Sequence, residues 1–348
     1  MEHRLRQWAV RLVVGLALVA AVGAQPLTAA PYAAMVMDAR TGEVLHADNA
    51  DTRLHPASLT KMMTLYIVFS AVENGEIGLD TLVTVSRFAA SEPPSKLGLQ
   101  PGQRIRLRYL IRAAAVRSAN DAATAMAEAI SGSEAAFARR MNRTAKALGM
   151  TRTTFKNAHG LTEEGHLSTA RDMTLLGRRL FYDFPEYYNL FSRRQADAGV
   201  KTVLHTNRRF LDSYEGADGI KTGYTRAAGF NLTASARRGS EHVLVTVFGG
   251  TSTAARDAKV AELMDLGFRK APSRVAERPP RPVSIPTGAA TRRVMAVETS
   301  IWPQPRPRVG QPAAGLAVAQ GEADAIAEAI AEALVAEAEA GDAEPEIV

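Results

Sequence analysis

The sequence predicts an α/β fold in which a mostly antiparallel sheet is built from both ends of the chain around a helical insert. Segments rich in β-branched or alternating apolar residues lie at 32–49 and 219–250. Between them, residues 108–130 and 133–149 are predicted helices rich in Ala, Met and Leu, and a further helical stretch begins near Ser58. Strands at both ends of a domain, with helices between them, indicate an α/β sandwich.

The individual elements follow from local signals. Residues 32–49 read as two strands around an "ARTG" turn. A helix is expected to begin near Ser58, run through "MMTLYIVFSAV" and end near Gly75, because glycine commonly terminates helices. Three later strands and a closing helix complete the prediction, and they are expected at 219–222, 228–236, 242–250 and 253–269.

The N-terminus has the composition of a secretory signal. Arg4, Arg6 and Arg11 precede an apolar run of 13 residues, "LVVGLALVAAVGA", which ends at Ala24. The run is shorter than the roughly 20 residues that a membrane helix needs. We therefore expect an exported, periplasmic or cell-envelope protein that is cleaved after Ala24, with a later cut near Ala30 and an uncleaved anchor as the alternatives. The chain has no cysteine, which excludes disulfides and a thiol nucleophile.

The C-terminal part differs in composition from the rest of the chain. Nine of the 17 prolines and seven arginines fall within 272–312, which predicts an extended linker rather than a folded core. Residues 320–348 carry nine acids and no Lys or Arg, and they favour a helix with a narrow apolar stripe. The predicted organisation is a signal peptide (1–24), a catalytic domain (25–271), a Pro/Arg-rich linker (272–319) and an acidic helical tail (320–348).

The net charge is +6 although the tail is acidic, so the body of the chain is strongly basic. A basic body suggests an anionic environment such as a membrane surface or an acidic polymer. Its basic residues are not interleaved with aromatic residues and no nucleic-acid motif is present, so nucleic acid is not a predicted partner.

The stretch "HPASLTKMMT" places Ser58 one helical turn before Lys61. A serine hydroxyl is a weak nucleophile unless a neighbouring base takes its proton, and lysine can be that base when burial or another cation lowers its pKa. A serine at a helix start also places its own N–H near a developing oxyanion. Alone, the pattern is weak evidence, and a helix cap followed by a solvated lysine is the favoured interpretation.

Two further motifs favour the catalytic interpretation of Ser58 and Lys61. "SAND" supplies Ser118 and Asn120 among the predicted helices, and "KTG" supplies Lys221, Thr222 and Gly223 on a predicted strand. The motifs S-x-x-K, S-x-N and K-T-G occur together, in this order, in penicillin-binding proteins and serine β-lactamases. The combination is far more specific than any one of its parts.

Over residues 31–270 the chain resembles the D-alanyl-D-alanine carboxypeptidases of the low-molecular-mass penicillin-binding protein family. The resemblance rests on "PASLTKMMT", "SANDAA", "FARRMNRTAKALGMTRTTFKNAHGL", "DGIKTGYT" and "GFNLTASA". It implies the penicillin-binding transpeptidase fold, a five-stranded sheet flanked by helices plus a helical lobe, with the active site in the cleft between them.

The resemblance also implies roles for single residues. Ser58 is the expected nucleophile, Lys61 its general base, and Ser118 a proton relay. The expected substrate-binding residues are Asn120, Lys221, Thr222, Gly223, Tyr224 and Arg256. Among these, Tyr224 contributes its backbone N–H to the oxyanion hole, and Arg256 supports binding of the substrate carboxylate.

Three features depart from the family pattern. The second motif has alanine where glycine is common, and Tyr224 stands where some relatives have histidine. The linker and acidic tail replace a second β-rich domain and a basic amphipathic anchor, which argues against membrane anchoring because acidic faces do not bind anionic bilayers. His159 and His166 flank "GLTEEG" and suggest a metal pair with Glu163 or Glu164, but the family loop has no metal role, so no metal and no cofactor are expected.

The sequence therefore predicts an exported serine D-Ala-D-Ala carboxypeptidase. Its expected substrate is a peptidoglycan pentapeptide, and β-lactam antibiotics are its expected inhibitors. A D,D-endopeptidase and a serine β-lactamase are enzymatic alternatives that share the motifs. A non-catalytic cell-wall or penicillin-binding module is the alternative from a different class, although such a module has no need of Lys61.

Overall fold

The computed structural model describes residues 31–285 and 287, and its secondary structure is as follows. The strands are β1 (Ala33–Asp38), β2 (Val44–Asp48), β3 (Leu82–Thr84), β4 (Arg104–Arg106), β5 (Gln195–Asp197), β6 (Thr202–Leu204), β7 (Ala217–Thr225), β8 (Gly229–Arg238) and β9 (Glu241–Gly250). The helices are α1 (Thr60–Glu73), α2 (Arg87–Ser91), α3 (Leu107–Arg112), α4 (Asn120–Ser131), α5 (Glu134–Ala147), α6 (Ala170–Asp183), α7 (Pro185–Tyr188), α8 (Arg208–Ser213) and α9 (Thr253–Lys270).

The main sheet has five antiparallel strands in the order β2-β1-β9-β8-β7, so it is built from both ends of the described chain. Two separate hairpins, β3–β4 and β5–β6, lie outside it. The short strands around "ARTG" and the three strands after residue 217 confirm the predicted α/β class with a mostly antiparallel sheet. Strand β7 forms one edge of this sheet, and its backbone is therefore open to a ligand on one side.

Strand β1 shows why both faces of the sheet are covered. All six of its residues are buried, and alternate residues join different apolar clusters because successive side chains point to opposite faces. Ala34 and Val36 belong to the cluster that packs against α9, whereas Met35 and Met37 belong to the larger cluster that includes α1 and α6. The sheet is the middle layer between α9 and the other helices.

Helix α1 lies at the centre of the helical part. Twelve consecutive residues, Thr60–Ala71, are buried, so the helix has no solvent face over that length. A helix that is buried all round is typical of the core of a larger protein. Because α1 cannot shift without disturbing packing on every side, it is a rigid support for the residues at its N-terminus.

The predicted continuous helix over 108–130 is wrong. Helix α3 ends at Arg112 and passes into a wider π-helical turn over Ala113–Arg117. Ser118 then adopts the left-handed conformation, with φ of 66°, and α4 begins only at Asn120. Propensity favours a helix throughout this alanine-rich segment, but tertiary contacts impose the break, and the break falls on the S-A-N motif.

Residues 272–285 hold no helix or strand, yet they lie against the body. Arg178 Nη2 donates to the Arg278 carbonyl, and Arg179 Nη1 donates to the Arg281 carbonyl at 2.8 Å. Val283 and Ile285 pack on the larger apolar cluster. The boundary predicted after residue 271 remains a prediction, but the segment that follows it makes specific contacts.

The signal peptide, the remainder of the linker and the acidic tail lie outside the described residues. Over residues 31–285 and 287, none of the helices combines the length and the hydropathy needed to cross a bilayer.

Candidate active site

The turn that carries Ser58 is held in an unusual backbone conformation. Ala57 has φ of 48°, a left-handed value that is costly for a residue with a side chain and occurs mainly where the surroundings enforce it. Asn231 on β8 fixes this turn, because its side-chain amide donates to the carbonyls of His55 and Pro56, at 3.0 and 3.3 Å. Ser58 follows in a short 3₁₀ turn that leads directly into α1.

Two glycines allow neighbouring segments to approach this turn closely. A Cβ at Gly160 would overlap the Ala57 carbonyl, and Gly160 also has a left-handed φ of 90°. A Cβ at Gly223 would lie 2.9 Å from the Pro56 oxygen and 3.1 Å from the Ser58 nitrogen. The β7 backbone can therefore run beside the Ser58 N–H only because residue 223 has no side chain.

Lys61 lies beneath Ser58 and is completely buried. Its Nζ is 3.1 Å from Ser58 Oγ, 2.7 Å from Asn120 Oδ1 and 2.7 Å from the His159 carbonyl oxygen. Burial lowers the pKa of Lys61 well below its ordinary value, and the nearby charge of Lys221 lowers it further. The charges of Glu92 and Asp121 act in the opposite direction. This environment favours a neutral amine.

The break before α4 determines where Ser118 and Asn120 lie. Ser118 is nearly buried and contributes to the cleft wall. The Asn120 N–H donates to the Ser95 carbonyl at 2.7 Å, and its amide Nδ2 donates to the Pro93 carbonyl at 2.8 Å. With its nitrogen engaged there, Asn120 has its oxygen directed at Lys61. The interruption of the helix therefore places Ser118 and Asn120 at the cleft, where hydrogen bonds to the backbone hold Asn120 in position.

Strand β7 supplies the opposite wall of the cleft. Lys221 is buried, and its Nζ donates to the Thr222 carbonyl at 2.9 Å. Burial, together with the charge of Arg256, lowers the pKa of Lys221 to about 7. Thr222 Oγ1 donates to Thr206 Oγ1 at 2.9 Å. The Tyr224 side chain is 57% exposed and packs on Phe230, with ring centroids 4.4 Å apart.

Arg256 reaches the cleft from α9. It is buried, and its Nε and Nη2 both donate to Asp257 Oδ1, at 3.0 and 2.6 Å. Its Nη1 donates to the Asn231 carbonyl at 3.3 Å. Several of its donors are therefore engaged within the protein, and its clearest effect on the site is electrostatic, through the pKa of Lys221.

These side chains surround one cleft of about 350 Å³. Seven of the nine residues predicted for the site line it directly: Ser58, Ser118, Asn120, Thr222, Gly223, Tyr224 and Arg256. The other two contact that lining from beneath, Lys61 through Ser58 and Asn120, and Lys221 through Thr222. The structure thus brings all nine together, while their individual roles remain predictions.

Sequence reasoning missed several residues that hold the site. Asn231 occurs within the quoted "GFNLTASA" but received no role, and Thr206 was not singled out. Glu92 and Glu134 were also missed, and both lie near His159 behind Lys61. Buried polar residues near a cleft are the general signal for such positions, but these contacts join segments far apart in sequence, so no local pattern reveals them.

The histidines do not form the metal pair that the sequence suggested as a possibility. His166 Nε2 is 2.9 Å from Thr60 Oγ1, and its Nδ1 accepts from the Lys156 N–H. His159 instead faces Glu92 and Glu134, and these three are the residues with suitably spaced ligand atoms within the described part of the chain. The carboxylate oxygens of Glu92 and Glu134 already accept hydrogen bonds from Thr124, and Glu134 also accepts one from the Ala158 N–H.

Comparison with known proteins gives consistent matches. A family model described as D-alanyl-D-alanine carboxypeptidase matches residues 20–252. The carboxypeptidase DacF of Bacillus subtilis is 40% identical over 240 residues, which cover 68% of this chain and 61% of that protein. The chain therefore spans about three fifths of the length of this curated relative.

Solved structures agree with the sequence matches. Penicillin-binding protein 5 of Haemophilus influenzae superposes with a TM-score of 0.66 at 33% identity, covering 71% of this chain and 73% of that one. Penicillin-binding protein D2 of Listeria monocytogenes, solved with ampicillin bound, gives a TM-score of 0.60 at 33% identity and covers 68% of this chain and 96% of that one. The fold is that of the penicillin-binding proteins, and the chain belongs to the D-alanyl-D-alanine carboxypeptidase family of serine peptidases.

Proposed function

We propose that this chain is an exported serine D-Ala-D-Ala carboxypeptidase that acts on peptidoglycan stem peptides through an acyl-enzyme. The observation that carries the proposal is the set of three contacts around Lys61. A neutral amine has two N–H groups and one lone pair. Asn120 Oδ1 and the His159 carbonyl can only accept, so they take the two N–H groups. The lone pair is then left for the Ser58 hydroxyl proton, across 3.1 Å.

The first half of the reaction follows from this arrangement. Lys61 takes the proton of Ser58 Oγ as that oxygen attacks the carbonyl carbon of the penultimate D-alanine. The Ser58 and Tyr224 N–H groups stabilise the oxyanion that forms. The peptide C–N bond breaks, the leaving nitrogen receives a proton by way of Ser118, and terminal D-alanine departs from an ester on Ser58.

Water completes the cycle. A water molecule loses a proton and attacks the ester carbonyl, the bond to Ser58 Oγ breaks, and Oγ regains its proton. The products are the shortened peptide with a free carboxylate and the original enzyme. No metal or organic cofactor takes part in this scheme.

The β7 wall of the cleft has the charge and the hydrogen-bonding groups to bind the C-terminal carboxylate of the substrate. The substrate has a free carboxylate, and Lys221 and Arg256 give that wall positive charge, while Thr222 offers a hydroxyl group. A substrate carboxylate would favour the charged form of Lys221. Gly223 leaves room for the substrate backbone beside the edge strand β7.

Penicillins are proposed to acylate the same serine. Support comes from the Listeria penicillin-binding protein D2, which has been solved with ampicillin and with cefotaxime bound. Export rests on the N-terminal sequence, and mass spectrometry of the mature N-terminus would test cleavage after Ala24.

One experiment separates the proposed function from its alternatives. The parent and Ser58→Ala proteins are incubated with a fluorescent penicillin and, separately, with a peptide that ends in D-Ala-D-Ala and with a cross-linked muropeptide dimer. The proposal predicts labelling and D-alanine release by the parent and neither by Ser58→Ala.

Each alternative gives a different result. Cleavage of the dimer without D-alanine release would indicate an endopeptidase. Rapid hydrolysis of penicillin without peptide turnover would indicate a β-lactamase. Labelling that is unaffected by Ser58→Ala, with no turnover at all, would indicate a non-catalytic module.

A further inference from the structure

His159 contacts Lys61, the proposed base, through its backbone carbonyl, and its ring faces two glutamates on the other side. Its carbonyl oxygen accepts from Lys61 Nζ at 2.7 Å. Its ring Nδ1 accepts from the Leu161 N–H at 3.1 Å, so the ring proton resides on Nε2. The tautomer of His159 is thereby fixed by its own loop.

The protonated Nε2 faces two carboxylates that are themselves held in place. It lies 3.3 Å from Glu92 Oε1 and 3.4 Å from Glu134 Oε1, and both side chains are largely buried. Thr124 Oγ1 lies within hydrogen-bond distance of both oxygens, at 2.9 and 3.3 Å. A single imidazole therefore joins α5, the segment after α2 and the loop that supplies the carbonyl for Lys61.

Ala158, the residue before His159, makes hydrogen bonds through both its N–H and its carbonyl oxygen. The Ala158 N–H donates to Glu134 Oε1 at 3.0 Å, and the Ala158 carbonyl accepts from Thr64 Oγ1 on α1 at 2.6 Å. Burial alone would raise the pKa of Glu92, but the hydrogen bonds from His159 and Thr124 lower it below its ordinary value, which keeps this acceptor ionised. The loop has little freedom to move relative to Lys61.

We propose that His159 is a positioning residue: Glu92 and Glu134 hold its ring so that its carbonyl keeps Lys61 aimed at Ser58. The proposal rests on the proposed function, because it gives Lys61 the role of base. It extends that function to three residues that lie behind Lys61 and do not themselves line the cleft. The physical reason is that a base contributes to the rate only while its lone pair stays aligned with the proton that it takes.

The test compares His159→Ala with His159→Gln and with the isosteric double variant Glu92→Gln/Glu134→Gln. Acylation of the full chain by a fluorescent penicillin is followed over a range of concentrations, which separates the acylation rate from the affinity. Loss of alignment is expected to slow acylation by His159→Ala by about 10²-fold with little change in affinity. The double variant replaces two charged acceptors with neutral amides, each with a single acceptor oxygen, so the hold on Nε2–H weakens and acylation should slow in the same direction.

Rescue and a matched control separate positioning from general damage. The side-chain amide of a glutamine at this position can donate to the same carboxylates, so His159→Gln should recover about tenfold of the lost rate. His46→Ala changes a histidine on β2, at the sheet edge opposite β7, and should stay within about twofold of the parent. Folding of each variant is checked by near-UV circular dichroism and thermal melting.

The outcomes are distinct. A folded His159→Ala or double variant that is acylated at the parent rate overturns the positioning role while leaving the proposed function intact. If His159→Ala fails to fold, the double variant decides the question. If the parent itself is not acylated at Ser58, the proposed function fails first, and this inference fails with it.

Discussion

Gly223→Ala tests whether β7 must run against the Ser58 turn. The added Cβ would lie 2.9 Å from the Pro56 oxygen, 3.1 Å from the Ser58 nitrogen and 3.2 Å from the Ala57 Cβ. Two of these neighbours are backbone atoms, and Asn231 holds the turn to β8, so the turn cannot yield easily. The strand must therefore move away by a few tenths of an ångström, and the Tyr224 N–H moves with it.

The size of the effect follows from what that N–H is proposed to do. Loss of one oxyanion-hole donor typically costs about 10²–10³-fold in rate. A displaced donor retains part of its effect, so we expect acylation by penicillin to slow by about 10²-fold. Stopped-flow measurement of acylation, over a range of penicillin concentrations, gives this rate directly.

A matched glycine serves as the control. Gly78 does not line the cleft, and a Cβ there would meet only Thr81 Oγ1, at 3.4 Å. Gly78→Ala should leave the acylation rate within about twofold of the parent. If Gly223→Ala folds normally and is acylated as fast as the parent, the proposed oxyanion hole between Ser58 and Tyr224 is wrong.

Three further predictions concern the base, its charge environment and the C-terminal segment. Lys61→Arg keeps the charge but cannot act as a base at neutral pH, so acylation should slow by roughly 10²–10⁴-fold or more, and a rate within tenfold of the parent would refute the role of Lys61. Lys221→Met removes a cation that lowers the pKa of Lys61, so the acid limb of the pH profile of acylation should move to higher pH. Glu92→Gln removes an anion that raises the same pKa, so the acid limb should move to lower pH. Shifts of both variants in the same direction would contradict this account. A chain ending at residue 287 should keep the parent's turnover of a soluble peptide and its binding to anionic vesicles. In a chain ending at residue 271, the free energy of unfolding should fall by about 2–4 kcal/mol, because two buried arginines lose charged hydrogen bonds to the deleted segment. Release from membranes, or a more than tenfold loss of turnover, by the 287 variant would show that the tail is an anchor or part of the active fold.

The sequence was informative where chemistry depends on residue type and local spacing. Ser58 lies in the 3₁₀ turn that leads into α1, one helical turn before Lys61, so their proximity follows from helix geometry. The sheet was predictable because its strands alternate or are apolar throughout, as buried strands are.

The rest depends on contacts that local patterns do not encode. An alanine-rich segment favours a continuous helix, and nothing in its composition indicates the π-helical turn or the left-handed Ser118 that place Asn120 against Lys61. The group formed by Glu92, Glu134 and His159 joins three separate segments, so only the tertiary fold brings them together. Composition suggested a linker after residue 271, but it did not show that carbonyls of that segment accept hydrogen bonds from Arg178 and Arg179.

The most direct test of the central claim is intact-mass and peptide mass spectrometry of the full chain after exposure to penicillin. The account predicts a mass increase of one penicillin per chain, located on the peptide that contains Ser58, and no increase for a folded Ser58→Ala variant. A label on any other residue, or stoichiometric labelling of Ser58→Ala, would contradict it.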